Sequence, residues 1–285
     1  MSIIRFDDVT KYYGDIRGIE GLSFEVEENE IFGLLGPNGA GKTTTVKTIV
    51  RMIQDYKGDV EIFGKDLREW GKDYYEKVGI SFEYPALYSK LSAMDNLKFF
   101  SSFYRKKTED PKDILELVGL EKDSDLIAGG FSKGMKKKLD IARALINDPD
   151  IVFFDEPVAG LDPGSARHIK DVMLSKKEDE GKTIFLNTHN MAVADELCDR
   201  VAFIVDGSVR LVDNPKKLKV ERGERKIKVE FEDDGRVRTS EYALQGIGDN
   251  HEFLKILKKH PIQRIHTMEP DLEEVFLEVT GEGLR

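Results

Sequence analysis

The chain has one cysteine in 285 residues, Cys198. No internal disulfide can therefore form, as suits a reducing compartment. Cys198 lies in Asp195-Glu-Leu-Cys-Asp199 with no second ligand at metal-site spacing, so a packed thiol is expected. No stretch approaches ~18 consecutive apolar residues, so no segment is expected to cross a membrane as a helix. The opening MSIIRFDDVT lacks the apolar core of a secretory leader. Positive charge is in deficit: 44 Lys and Arg against 54 Asp and Glu leave −10. That balance argues against general nucleic-acid binding, which needs a basic face. No internal repeat is visible. At 40 % hydrophobic, the chain has enough apolar residues for a sizeable core, in one large or two modest domains.

The most informative stretch is Gly36-Pro-Asn-Gly-Ala-Gly-Lys-Thr-Thr44. It fits G-x-x-x-x-G-K-[ST] with Gly36, Gly41, Lys42 and Thr43 in the fixed places. Glu30 to Leu35 before it reads as a buried strand, and Thr43 to Met52 after it as a helix. Strand, glycine loop, helix is the context the pattern requires. Gly36, Pro37, Asn38, Gly39, Ala40 and Gly41 can curl so that successive N–H groups face one anion. The helix start adds its positive dipole end. Lys42 would then reach β- and γ-phosphates, while the Thr43 hydroxyl would hold Mg²⁺ and Thr44 would complete the cradle.

Residues 3–26 read as short strands around a turn at Lys11-Tyr-Tyr-Gly14, and residues 58–64 as another strand. From Ala86 to Asn147 a helical insert is expected. In it Leu97, Phe100 and Phe103 or Tyr104 recur at helical spacing, as core residues would. Strand character returns at Ile151–Phe154, Thr183–Leu186 and Arg200–Val205. Alternating strands and helices imply an α/β fold with a mostly parallel sheet. Beyond Asn214-Pro215 the texture shifts. Residues 216–226 read as a linker or solvated helix, and 227–231 as a half-exposed strand. Asp271-Leu-Glu-Glu274 reads as a capping box before the stripe Leu272, Val275, Phe276, Val279, which needs a surface to pack on, most simply its own small sheet. The expected organisation is a nucleotide-binding domain over 1–215, with an insert at about 86–147, and a small α+β domain over 216–285.

The second chemical signal is Ile151-Val-Phe-Phe-Asp155-Glu156-Pro157. It describes a buried strand that delivers two carboxylates at its C-terminal end, where parallel sheets bind ligands. Asp155 would hold Mg²⁺ and Glu156 would polarise the attacking water.

Taken in order, these motifs resemble the nucleotide-binding subunit of an ATP-binding-cassette (ABC) transporter. Phe131-Ser-Lys-Gly-Met135 stands where that family has its LSGGQ signature; Ser132 and Gly134 match it, and Phe131, Lys133 and Met135 do not. Gly160-Leu161-Asp162 resembles the loop that lines the dimer seam, and His189 the histidine that touches the γ-phosphate. Tyr13 matches the aromatic that stacks on adenine, with Tyr12 as fallback. Where the family has Gln near the metal, this chain has Glu83, which adds a charge beside ATP. Tyr84-Pro-Ala-Leu-Tyr88, Leu91 and Met94 lie where the family forms a groove for its membrane partner. The resemblance spans about residues 3–213. The end, around Asp271–Leu277, resembles an extension of multidrug- and antibiotic-exporter ATPases.

The resemblance implies an ATPase using ATP and Mg²⁺, with catalytic Glu156, His189 and Lys42. It implies a transmembrane permease as partner, a homodimer or heterodimer of ATP-binding subunits, no nucleic acid, and a cytoplasmic position peripheral to the membrane. Two other readings stay open: a cassette ATPase not tied to a permease, and a nucleotide-gated module with little turnover.

Overall fold

Apolar residues alternate along the first two strands, and that alternation sets the first sheet. β1 (Ser2–Tyr13) and β2 (Ile16–Glu27) pair antiparallel. The turn expected at Lys11–Gly14 is later: Tyr13 pairs with Ile16, so the chain reverses at Gly14-Asp15, with Gly14 at φ 61°. In the computed structural model, which describes residues 1–223 and 225–281, the chain forms two units that part between Asn214 and Pro215.

In the first unit, β3 (Ile31–Leu35) is buried throughout and leads into α1 (Lys42–Ile49). This helix ends before Met52 because Arg51 turns left-handed at φ 62°. Next come β4 (Lys57–Ile62), β5 (Lys65–Asp66), α2 (Tyr74–Lys77) and β6 (Val78–Ser81). Three helices follow: α3 (Ala93–Ser101), α4 (Pro111–Leu117) and α5 (Lys133–Leu145). The unit closes with β7 (Ile151–Asp155), α6 (Pro163–Glu178), β8 (Thr183–Thr188), α7 (Met191–Leu197), β9 (Arg200–Val205) and β10 (Ser208–Asp213).

Two sheets result. One is antiparallel, in the order β2-β1-β4-β5; the other has the order β10-β9-β3-β8-β7-β6 and is parallel except for β10. A row of rings joins them. Phe6 and Phe24 of the antiparallel sheet stack at 4.7 Å, Phe24 meets Phe32 at 5.5 Å, Phe32 meets Phe185 at 5.8 Å, and Phe185 meets Phe153 at 5.9 Å. Each buried ring contributes about 1.5–3 kcal/mol by removal from water. Cys198 is buried, as expected of a packed thiol. A β-carbon on Gly33 would lie 2.8 Å from its sulfur, and burial pushes the thiol pKa up.

The expected aromatic core of the insert is only partly internal. Leu97 is buried, but α3 ends at Ser101, and Phe103, past the helix end, is 62 % exposed. Its ring packs on Phe99 at 4.9 Å, and Phe99 packs on Tyr88 at 4.7 Å.

The second unit opens with α8 (Pro215–Arg222), so the charged run expected as linker or helix is helical as far as Arg222. β11 (Lys226–Asp233) lies between β12 (Arg236–Ala243) and β13 (Ile262–Met268), antiparallel to both. Ile227, Val229 and Phe231 are buried with Phe253 of α9 (His251–Lys259) in the sheet's hydrophobic cluster. Asp271 caps α10 (Leu272–Thr280) by accepting from the Glu274 N–H at 2.7 Å. The other half of the expected capping box is diverted, since the Glu274 carboxylate is bonded by Lys226 at 2.6 Å. The stripe Leu272, Val275 and Phe276 is buried, with α10 packed against α8 rather than joining the sheet's cluster.

Candidate functional site

Three parallel strands bring their C-terminal ends to one edge. Leu35 of β3 pairs with Thr188 of β8, and Asn187 of β8 pairs with Asp155 of β7. Ligands of open α/β sheets bind at such an edge. The glycine loop leaves β3 there, and backbone crowding explains its glycines. A β-carbon on Gly36 would sit 2.2 Å from the Ile204 carbonyl oxygen. One on Gly41, at φ 106°, would sit 2.6 Å from the Gly18 oxygen. Both positions therefore exclude a side chain.

The loop borders a cavity of about 300 Å³ lined by Tyr13, Ile16, Arg17, Gly18, Asn38 and Gly39, and by Gly41 to Thr44. Tyr13 is half exposed, and its ring reaches this cavity because Gly18 has no side chain; a β-carbon there would meet the ring at 3.0 Å. Tyr12, the fallback, faces elsewhere: its hydroxyl donates to Glu20 at 2.9 Å, and it lines a different cavity with Asp55 and Lys57. The Lys42 ammonium donates to the loop carbonyls of Gly36 at 2.6 Å and Pro37 at 3.0 Å. Burial lowers the Lys42 pKa, while Glu156, Asp155 and Glu83 oppose the shift. Thr43 is exposed toward the cavity.

Glu156 and His189 lie far apart in sequence and are bonded in the fold. Glu156 takes a left-handed backbone at φ 48°, an uncommon conformation for a non-glycine residue, and its side chain meets the C-terminal end of β8. Its Oε1 accepts from the His189 backbone N–H at 2.8 Å and lies 2.6 Å from His189 Nδ1. Its Oε2 accepts from the Thr188 hydroxyl at 2.9 Å. The carboxylate is thus fixed on both oxygens, and Thr188 is a partner that the sequence did not single out. Asp155 accepts from Asn187 Nδ2 at 2.6 Å, and burial raises its pKa, opposed by that bond. Asn187 Oδ1 is buried beside it without a partner. Thr43, Asp155, Glu83 and Asn187 offer oxygen donors only, which suits a hard divalent cation completed by phosphate and water. Among the described residues no three His, Cys, Asp or Glu form a metal cage by themselves.

The signature segment lies elsewhere in the same unit. Ser132 is the N-cap of α5, accepting from the Met135 N–H at 3.2 Å. Neither Ser132 nor Gly134 lines the loop cavity of its own chain. Gly134 faces the Gly160-Leu161 loop, with Leu161 3.3 Å from where a β-carbon would stand. Asp162 caps α6 by accepting from the Ser165 N–H at 3.0 Å. One turn into α5, outside every motif, stands Lys137. Lys137 is buried, and its ammonium donates at 2.7 Å to both the Phe82 and Asp155 carbonyls. Its only signal in the sequence is its place as the middle cation of Lys136-Lys-Lys138, which reads equally well as a solvated face.

A mononucleotide-phosphate loop at the edge of a parallel sheet, facing a fixed carboxylate–imidazole pair, defines a P-loop nucleotide hydrolase. The comparisons narrow that class. The ABC transporter family model matches residues 19–159, and the fluoroquinolone efflux ABC transporter C-terminal domain matches residues 225–269. A fluoroquinolones export ATP-binding protein of Mycobacterium tuberculosis is 48 % identical over 267 residues, covering 93 % of this chain and 88 % of that protein. The bacitracin transport ATP-binding protein of Bacillus licheniformis is 35 % identical over 211 residues, covering 73 % and 68 %. A dimeric ATP-binding cassette solved in a post-hydrolysis state with ADP and Pi superposes with a TM-score of 0.68 at 25 % identity, covering 74 % of this chain and 98 % of that one. This chain belongs to the ABC transporter family, as an exporter-type ATP-binding subunit. It is an ATPase that powers a separate membrane permease. The C-terminal match ends at Glu269, short of the Asp271–Leu277 segment that carries the resemblance of this part.

Proposed function

We propose that two copies of this chain close head to tail on two ATP molecules, and that reopening after hydrolysis drives export of a fluoroquinolone-class compound. The observation that carries the dimer is the separation of the two half-sites. Tyr13, Lys42 and Thr43 line the loop cavity, whereas Ser132 and Gly134 lie outside it. A triphosphate held by the loop is therefore completed by the signature of a second chain, whose α5 start offers a hydroxyl and free N–H groups to phosphate. One chain carries both halves, so two identical copies make two whole sites.

Within a site, Gly36 to Gly41 and Thr44 cradle the phosphates and Lys42 balances their charge. Thr43 and Asp155, with Glu83, are the residues that would hold Mg²⁺, which when bound would supply charge neutralisation on the phosphate oxygens. Glu156 accepts the proton of the attacking water. His189 keeps that carboxylate oriented and turns its ring, 60 % exposed, toward the phosphate. Tyr13 stacks on adenine. Tyr84, Tyr88, Phe99 and Phe103 form the seat for the permease, since these exposed rings, of which Tyr88, Phe99 and Phe103 pack on one another, are costly to leave in water. That contact holds the subunit at the cytoplasmic face of the membrane. The compound class rests on the 48 % identical relative and on the C-terminal match.

Mixing two inactive proteins tests the shared site. Lys42→Ala carries a dead loop and a good signature, and Gly134→Asp the reverse, since its carboxylate repels the γ-phosphate. A mixed dimer has one intact site, so mixing should restore part of the ATPase activity. Crosslinking first shows that mixed dimers form, and ATP binding by Gly134→Asp shows that its own loop is folded. Mixed dimers that form and stay inactive, where single-site dimers are otherwise active, would rule out the head-to-tail arrangement.

A further inference from the structure

Lys137 does two things that its neighbours in Lys136-Lys-Lys138 do not. It is 3 % exposed, and its ammonium reaches two carbonyls on different segments, Phe82 after β6 and Asp155 at the end of β7, both at 2.7 Å. One segment leads directly to Glu83 and the other to Glu156. Lys137 thus bonds the backbone of these segments and not the carboxylates of Glu83 or Asp155, the latter of which accepts from Asn187 Nδ2. The remaining acid next to Lys137 is already satisfied. Asp140 accepts from Arg143 at 2.8 Å and from the Ser81 hydroxyl at 2.8 Å.

Charge decides what this buried cation is for. Burial works against the charge of both Lys42 and Lys137; at Lys137 the Asp140 carboxylate opposes this most, and Asp155, Glu156 and Glu83 oppose it at both lysines. Three carboxylates thus face two ammonium groups in a site that must also accept a triphosphate. Without Lys137 they would face one. Without the Glu83 carboxylate, two acids would face two cations.

We propose that Lys137 is a positioning residue whose buried charge compensates Glu83, allowing a carboxylate in that loop to coexist with bound ATP. It rests on the assignment of the loop cavity to ATP. The pair is reciprocal: each partner's charge is tolerable because of the other.

The test uses the full chain and two readouts, ATP affinity by calorimetry with and without Mg²⁺, and thermal unfolding without nucleotide. Lys137→Gln keeps donors for both carbonyls and removes the charge. It should weaken ATP binding by about tenfold or more, the effect of one unit charge several ångströms away at intermediate dielectric. Adding Glu83→Gln to it should recover most of that loss, while Glu83→Gln alone should bind ATP at least as tightly as the wild type. The same non-additivity should appear in the unfolding temperature. If Lys137→Gln fails to fold alone, folding of Lys137→Gln/Glu83→Gln supports the pair, and failure of the double variant overturns it. A double variant that binds ATP as weakly as Lys137→Gln also overturns it and leaves Lys137 a backbone staple. Failure of every variant, wild type included, to bind ATP would instead refute the cavity assignment.

Discussion

The two units are built from the same kinds of elements, yet only the first carries recognisable chemistry. In the first, the C-terminal ends of β3, β7 and β8 converge, so short motifs far apart in sequence meet at one edge. In the second, the antiparallel sheet β12-β11-β13 has no such edge, and β13 is exposed along almost its whole length. Parallel topology concentrates function at strand ends; a small antiparallel sheet distributes its side chains over two faces and brings no such set of strand ends together.

The largest effects should come from the convergent edge. Lys42→Ala removes the cation that the loop carbonyls position, so turnover should fall about a thousandfold or more and ATP binding should weaken. An ATPase assay on pure protein checks this, and normal turnover would refute the site. Glu156→Gln should separate chemistry from binding. Its amide keeps the shape but cannot take the proton, so hydrolysis should drop by about 10²–10⁴ while ATP still binds and dimers accumulate in size measurements. Wild-type turnover would show that another group is the base.

A smaller effect is expected at the exposed rings. Phe103→Asp places a charge on a ring contact that is 62 % exposed, so the fold and ATP binding should hold while co-purification with the permease falls. Unchanged co-purification would move the docking surface elsewhere. A chain ending at Asn214 sharpens the contrast between units. All the nucleotide motifs precede this point, and β10 ends at Asp213, so ATP binding should be unchanged. Loss of binding in a soluble, folded truncation would mean that the second unit contributes to the site.

What the sequence made legible follows from how local each cause is. The Gly36–Thr44 loop and the strand Ile151–Asp155 were readable because their physics is contiguous: glycines that curl a backbone, and an apolar run that ends in acids. The Glu156–His189 bond was not readable. It depends on β7 and β8 being neighbours and on Glu156 turning left-handed, neither of which a local pattern encodes. Lys137 was hidden among three lysines because burial is a tertiary property. Phe103 misled for the converse reason: its spacing is helical, but the helix stops two residues before it. In the second unit the amphipathic period located α10 correctly, yet period alone does not name the surface that a stripe packs on. α10 lies against α8 and not within the sheet's hydrophobic cluster.

The smallest effect tests the second unit on its own terms. Asp271 caps α10 through the Glu274 N–H at 2.7 Å, while the Glu274 side chain is held by Lys226. Removing the cap with Asp271→Ala should cost about 1 kcal/mol of local stability. Hydrogen exchange should then speed up roughly fivefold in α10, where the buried residues Leu272, Val275 and Phe276 share one helix of nine residues. A nine-residue helix cannot absorb that loss by its own propensity, because helices of this length are marginal without packing. The nucleotide site should not register the change. ATP affinity and turnover should match the wild type, since no nucleotide motif lies beyond Asn214. Faster exchange confined to the second unit would establish that the two regions are energetically separate. Faster exchange that spreads into α1 or the Gly36–Thr44 loop would show that the C-terminal unit is coupled to the ATP site.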